Sequence, residues 1–269
     1  MIRNLLSIAG SDPSGGAGIQ ADLKTFAAQG TYGMAVLTAL TAQNTQGVSG
    51  IEVLPPAFVA QQIASVFADV RVDAVKIGMI ANAGITHAVA GALKDHPGIP
   101  IVLDTVMVAK GGASLLADDA VQALREALLP MATLITPNLP EAARLLGAPE
   151  AVDRAGMEAQ ARALADGGVR AVLLKGGHLE QPDSPDVLFA GGKAQWFEAP
   201  RTPGRNTHGT GCTLSSAVAA QLAQGASLAA AVEAAKDYVS GAIAAAGALS
   251  VGQGHGPLHH FHHLWKDER

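Results

Sequence analysis

Short runs of aliphatic and β-branched residues alternate along this chain with longer Ala/Leu-rich segments whose apolar positions recur about every three to four residues. Leu5 to Ala9 reads as a buried strand, followed by a glycine-rich turn and a helix from about Gly16 to Gln29. Met34 to Ala42 and Val48 to Val53 read as further strands, able to form a small flap or a subunit contact. Pro56 opens a helix to about Ala68, proline being tolerated in a first turn. Ala74 to Ile77 is a strand, Gly84 to Lys94 a helix and Ile99 to Leu103 a strand. Asp118 and Asp119 place favourable negative charge at the start of another helix. Strands at Thr133–Ile135 and Ala171–Leu174 and helices at Leu139–Leu146 and Arg154–Asp166 continue the series. Val187–Ala190 and Gln195–Phe197 flank Gly191 and Gly192 as a hairpin, and two alanine-rich helices follow.

Continuous apolar strands alternating with helices predict an α/β fold with a mostly parallel central sheet covered on both faces. No repeat, linker or low-complexity block interrupts residues 1–269, so a single domain is predicted. Such sheets take ligands at the carboxyl ends of their strands. Here those ends carry Gly10-Ser11-Asp12, Gly78-Met79, Asp104, Pro137-Asn138 and Lys175-Gly176-Gly177, a convergent set that reads as one site.

Composition narrows the class. The chain is 49% apolar with only 15% charged residues, enough to bury a sizeable core and too little charge for disorder. A net charge of −5 without a basic stripe argues against a nucleic-acid partner. The single cysteine excludes an intrachain disulfide and a Cys-based zinc cluster. The apolar run at residues 1–10 is too short for a signal peptide, and no window has the length and lack of charge of a membrane span. A cytoplasmic setting without membrane partners is the expectation.

The stretch Asn206-Thr-His-Gly-Thr-Gly-Cys-Thr-Leu-Ser-Ser216 concentrates glycines and hydroxyls around that cysteine, ahead of a helix predicted over roughly Thr213 to Gln224. Gly209 and Gly211 let backbone N–H groups approach an anion, and the helix N-terminus adds partial positive charge. A thiol placed there is expected to have its thiolate favoured. A plain Gly-Thr-Gly turn capping a helix, with Cys212 as a small buried apolar residue, accounts for these residues equally well.

Seven segments in order resemble the ribokinase-like superfamily, and within it the hydroxymethylpyrimidine/phosphomethylpyrimidine kinases of thiamine biosynthesis. They are residues 9–25, Ala42-Gln-Asn-Thr45, Lys76-Ile-Gly-Met79, Leu103-Asp-Thr-Val-Met107, Thr136-Pro-Asn-Leu-Pro-Glu-Ala142, Leu174-Lys-Gly-Gly-His178 and the Gly-Thr-Gly-Cys loop, with Gly254-His-Gly-Pro-Leu-His-His-Phe261 as a further mark. The resemblance implies a three-layer α/β/α sandwich with a small β flap, ATP as co-substrate, Mg2+, and a homodimer. It implies that Cys212 takes the substrate hydroxyl proton or holds the transferring phosphoryl group, with Gly209, Thr210 and Gly211 as the anion cradle. Gln43 is implied as the pyrimidine contact, since a carboxamide offers the donor and acceptor that an amino group and adjacent ring nitrogen require. Gly10, Ala17, Met79 and Val106 would wall the substrate, and Asp22 would bond its hydroxymethyl end or a nearby water. Lys175, Thr207 and Lys110 are implied at the nucleotide, and Asn138, Glu141 and Asp104 at the magnesium ion.

The activity so implied is phosphorylation of 4-amino-5-hydroxymethyl-2-methylpyrimidine to its monophosphate and then to its diphosphate. A pyridoxal/pyridoxine kinase and a catalytically silent pyrimidine-binding protein are the alternatives. His255, His259, His260, His262 and His263 would fit a metal-binding tail, but the resemblance favours a structural or surface segment.

Overall fold

A computed structural model describes residues 1–107, 118–179, 183–202 and 204–265. The first strand, β1 (Asn4–Ala9), leads into α1 (Gly18–Ala28) and β2 (Tyr32–Leu37). A two-stranded antiparallel flap follows, β3 (Ala39–Asn44) with β4 (Gly47–Val53). Then come α2 (Pro56–Asp69), β5 (Ala74–Ile77), α3 (Ala83–Leu93), β6 (Ile101–Leu103) and α4 (Asp118–Ala123), the last continuing as a π turn over Leu124–Leu128. β7 (Leu134–Ile135), α5 (Leu139–Leu146), α6 (Arg154–Asp166) and β8 (Ala171–Lys175) complete the parallel part. The hairpin β9 (Asp186–Ala190) and β10 (Lys193–Phe197) adds the antiparallel edge, and α7 (Thr210–Ala223) and α8 (Leu228–Ala244) follow.

The large sheet runs β10-β9-β8-β7-β6-β5-β1-β2. Period-two alternation divides its side chains between two cores. Leu6, Ile8, Val75, Ile77, Leu103 and Ile135 share one with residues of α2, α3, α5 and α6. Leu5, Ala74, Val102, Leu134 and Leu173 pack on the other with residues of α1, α7 and α8. The result is the expected three-layer sandwich, with the central strands buried on both faces and the edge strands β2 and β10 partly exposed.

The reading of Met34–Ala42 as one strand is corrected: the chain leaves the main sheet at Thr38. Thr38 donates its backbone N–H to Ala9 O and its hydroxyl to Met79 O, which redirects the next residues into the flap. A register shift between Ala42 and Gln43 bends β3 beside the cavity described below. The start of α1 also moves, from Gly16 to Gly18, because the Asp12 carboxylate takes the N–H groups of Gly16 and Ala17.

Candidate active site

The parallel strands β1, β5, β6, β7 and β8 end on one sheet edge, and the order of connection reverses between β1 and β5. A cavity of about 1220 Å³ opens there. It exceeds the roughly 300–1,000 Å³ usual for a single small ligand, so it has room for two. Gly10, Ala17, Gln43, Met79 and Val106 line it on the β1–β5 side. Asp104, Asn138, Glu141 and Lys175 line its middle, and Asp186, Lys236, Val239 and Ile243 its β8–β9 side. Thr207, Gly209, Thr210, Gly211 and Cys212 border the same space.

Gly209 caps the N-terminus of α7 at φ 81°, and a Cβ there would strike the Gly16 carbonyl. Only glycine combines that backbone conformation with so close an approach. Thr213 N–H makes the bond to Gly209 O, leaving Gly211 and Cys212 in the first turn, where helix N–H groups face outward. A Cβ on Gly211 would lie 3.4 Å from Lys175 Nζ and 3.5 Å from Asp104 Oδ2. A helix N-terminus, an ammonium and a carboxylate thus meet within a few ångströms.

Lys175 Nζ donates to Asp104 Oδ1 at 3.2 Å, and Thr136 Oγ1 donates to the same oxygen at 3.2 Å. Burial would push the Asp104 carboxyl up, but Lys175 and Lys76 hold it below the usual carboxylate range. Glu141 closes a capping box with Asn138: its Oε2 accepts from Asn138 N at 2.9 Å, and Asn138 Oδ1 accepts from Glu141 N at 2.9 Å. Burial, reinforced by the charge of Asp104, raises Glu141 to about 7 despite Lys175.

Two expectations are corrected. Asp22 does not line the cavity. It is fully buried, and its carboxylate accepts from Lys76 Nζ at 2.8 and 2.9 Å, Ser7 Oγ at 2.6 Å and Ser216 Oγ at 2.8 Å. Nor is the thiolate of Cys212 favoured: burial pushes the thiol up to about 11, with Asp22 and Asp104 adding to the effect of desolvation. Lys76 and the Gly18 N–H pull the other way and lose. The helix N-terminus was readable from sequence, whereas the depth of the thiol and its carboxylate neighbours was not.

Lys76, which lines the cavity from the middle of β5, had been given no role. Its signal was present: a lone ammonium in the apolar run Ala74–Ile77 has to be paired if the strand is buried. Asp12 and His208 were also missed as a pair; His208 Nε2 lies 2.8 Å from Asp12 Oδ2 and 3.3 Å from Gln43 Nε2. The Lys236–Asp186 pair, at 2.6 Å, ties α8 to the start of β9, and Asp186 Oδ1 accepts from Gly176 N beside Lys175. Lys110 lies outside the described residues. Among the described residues no group of three His, Cys, Asp or Glu could hold a metal. His259 and His260 are buried, the latter 3.1 Å from Thr213 Oγ1 and pulled down to about 4 mainly by burial.

A glycine-bordered helix N-terminus, with a lysine and two carboxylates on one large cavity at the sheet edge, is the arrangement of a small-molecule kinase of ribokinase-like fold. The model of the phosphomethylpyrimidine kinase family matches residues 12–259, and the chain belongs to that family. It is 56% identical over 262 residues to the hydroxymethylpyrimidine/phosphomethylpyrimidine kinase of Salmonella typhimurium, covering 97% of this chain and 98% of that relative. Among solved structures it resembles the phosphomethylpyrimidine kinase of Clostridium difficile, 41% identical with a TM-score of 0.80, over 90% of this chain and 99% of that one. It also resembles the ADP complex of Bacillus subtilis pyridoxal kinase, 38% identical with a TM-score of 0.89, over 97% and 98% of the two chains.

Proposed function

We propose that the chain is one ATP-dependent kinase domain that phosphorylates 4-amino-5-hydroxymethyl-2-methylpyrimidine and then its monophosphate, giving the diphosphate used in thiamine assembly. The observation that carries this reading is the convergence of the α7 N-terminus, Lys175, Asp104 and Glu141 on the same cavity as Gln43. In the first step the hydroxymethyl oxygen bonds to the γ-phosphorus of ATP, the bridging bond to the β-phosphate breaks and ADP leaves, while the hydroxyl proton passes late to a transferred phosphoryl oxygen and on to solvent. In the second step an oxygen of the new phosphate is the nucleophile. The cavity volume of about 1220 Å³ leaves space for that extra phosphate.

Each residue's part follows from its position. First-turn N–H groups of Gly211 and Cys212 stabilise charge on the transferring phosphoryl oxygens, while Thr210, whose N–H donates to Thr207 O, shapes the loop with Gly209. Lys175 neutralises the phosphates as a point charge, and Thr207 borders them. Cys212, a thiol at neutral pH, orients the nucleophile; a loose phosphoryl transition state demands little prior deprotonation, so the high thiol value is compatible with turnover. Gln43 recognises the pyrimidine edge, with Gly10, Ala17, Met79 and Val106 around the ring. Asn138, Glu141 and Asp104 form an all-oxygen set suited to Mg2+, which keeps waters and needs few protein ligands. When bound, the ion neutralises charge on the ATP phosphates.

Among the described residues no helix is long and apolar enough to cross a membrane; a cytoplasmic setting is part of the proposal. Ile51 and Val53 stand exposed on one face of the flap, Leu40 on the other and Phe58 beside it, and these apolar positions support a homodimer through the flap. Light scattering tests it; a monomer at every concentration removes it. The kinase reading is tested by offering the hydroxymethylpyrimidine, its monophosphate and pyridoxine separately with Mg-ATP. Turnover of both pyrimidines above pyridoxine supports the proposal. Pyridoxine as the better substrate moves the chain towards the vitamin B6 kinases, and silence on all three leaves a binding protein.

A further inference from the structure

We infer that His208, oriented by Asp12, is a positioning residue that sets which end of the Gln43 carboxamide accepts and which donates, and thereby the direction in which the pyrimidine edge is read. This rests on the kinase reading above. Asp12 is 1% exposed and saturated with donors: Ser14 N and Oγ at 2.9 and 2.7 Å, Gly16 N at 3.1 Å and Ala17 N at 2.8 Å, besides His208 Nε2 at 2.8 Å. Burial would push its carboxyl up, but His208, Ser14 and Ala17 hold it below the usual range. An ionised carboxylate only accepts, so Nε2 of His208 carries the hydrogen.

That fixes the neighbour. With the Gln43 nitrogen 3.3 Å from His208 Nε2, two N–H donors face each other. On the other side, Gln43 Oε1 lies 3.2 Å from Thr41 Oγ1, whose single proton already goes to Ser11 O at 2.9 Å. A half-turn of the amide, which exchanges two atoms of nearly equal size, resolves both conflicts. Oε1 then takes the longer share of the His208 Nε2–H whose first acceptor is Asp12 Oδ2, and Nε2 donates to Thr41. One lone pair and one N–H of the amide remain for substrate. The lone pair lies towards His208 and calls for the pyrimidine amino group on that side; the N–H lies towards Thr41 and calls for the ring nitrogen.

The loops are shaped for this contact. A Cβ on Gly16 would sit 2.5 Å from His208 Cδ2, so glycine there makes room for the ring. His208 N donates to Gly256 O at 3.1 Å, which anchors the histidine from the C-terminal segment. His208 therefore acts through Gln43, and its effect should vanish when Gln43 is absent.

Kinetics with the hydroxymethylpyrimidine at saturating Mg-ATP would compare wild type, His208→Ala, His208→Gln, Gln43→Ala and the His208→Ala/Gln43→Ala pair. His208→Ala is expected to raise KM about tenfold, the worth of one hydrogen bond, with kcat within about threefold. His208→Gln, which restores an N–H donor, should recover most of that loss. In the Gln43→Ala background the His208→Ala effect should fall below about twofold. An unchanged KM in His208→Ala, or equal effects in both backgrounds, overturns the inference. A long-range proton–nitrogen correlation spectrum of the substrate-free protein, with His208 assigned by its loss in His208→Ala, gives a readout independent of turnover. A protonated Nε2 is expected, and an unprotonated Nε2 overturns the amide assignment. If the wild type does not turn over the pyrimidine, the kinase reading fails, and the spectrum still decides the amide.

Discussion

Replacing Asp22 with asparagine removes the negative half of an ion pair in which both side chains are fully buried. The carboxylate is met by four donor contacts, two from Lys76 Nζ at 2.8 and 2.9 Å and one each from Ser7 and Ser216. An amide keeps one oxygen and turns an NH2 towards an ammonium, so Lys76 loses its direct carboxylate partner between β5, α1 and α7 and keeps only the weaker attraction of Asp104. Breaking a buried pair from one side costs about 3–5 kcal/mol. Against a total of about 5–15 kcal/mol, that is a fifth or more of the stability of an ordinary domain. The midpoint of thermal unfolding should fall by about 6–20 °C. Urea unfolding followed by circular dichroism measures the loss, and Asp22→Asn/Lys76→Met, which leaves no charge, should recover much of it. The attraction raises Lys76 above its ordinary 10.5, so this stability is intact below that value and lost only as pH climbs through the higher folded one. A single Asp22→Asn variant within about 1 kcal/mol of wild type, or a double variant whose loss equals the sum of the singles, would refute the reasoning.

Cys212→Ala should lower kcat about tenfold, the worth of one orienting hydrogen bond, while calorimetry shows pyrimidine binding within about threefold; unchanged turnover removes the thiol from the mechanism. Glu141, raised to about 7, is neutral below that pH and charged above it, so the apparent affinity for Mg2+ should improve as pH rises through about 7. Glu141→Gln should flatten this dependence, and an unchanged profile would assign it to another group. Because the folded state holds the Glu141 proton more tightly than the unfolded chain does, stability should fall as pH rises from 4.5 towards 7, less so in Glu141→Gln. Gly209→Ala introduces a Cβ at φ 81° against the Gly16 carbonyl, and should cost at least about 1–3 kcal/mol in urea unfolding and most of the turnover. A variant of normal stability and rate would show that the loop tolerates displacement.

What was legible in the chain was what is local. α5 and α6 have the bounds expected of them because Asn138 and Asp153 cap their first turns, and Gly147, in a left-handed conformation, stops α5. β5 was equally clear as a short apolar run, and the strand ends that carry Gly10, Met79, Asp104, Asn138 and Lys175 do meet at one cavity. What was not legible depends on partners distant in sequence. Thr38 breaks the predicted strand by bonding a carbonyl 41 positions away, at Met79. Asp22 turns inward to a lysine 54 positions on, and His208 finds Asp12 across 196. The thiol of Cys212 is raised by a burial that no local pattern records.

In the proposed function one pocket performs two successive phosphoryl transfers on one pyrimidine. Phosphorus NMR of the purified protein with Mg-ATP and 4-amino-5-hydroxymethyl-2-methylpyrimidine tests it most directly. A monophosphate resonance should grow first and then give way to a coupled pair from the diphosphate, with both steps slowed together in Cys212→Ala. A reaction that stops at the monophosphate, or a Cys212→Ala variant that loses one step and keeps the other, would contradict it.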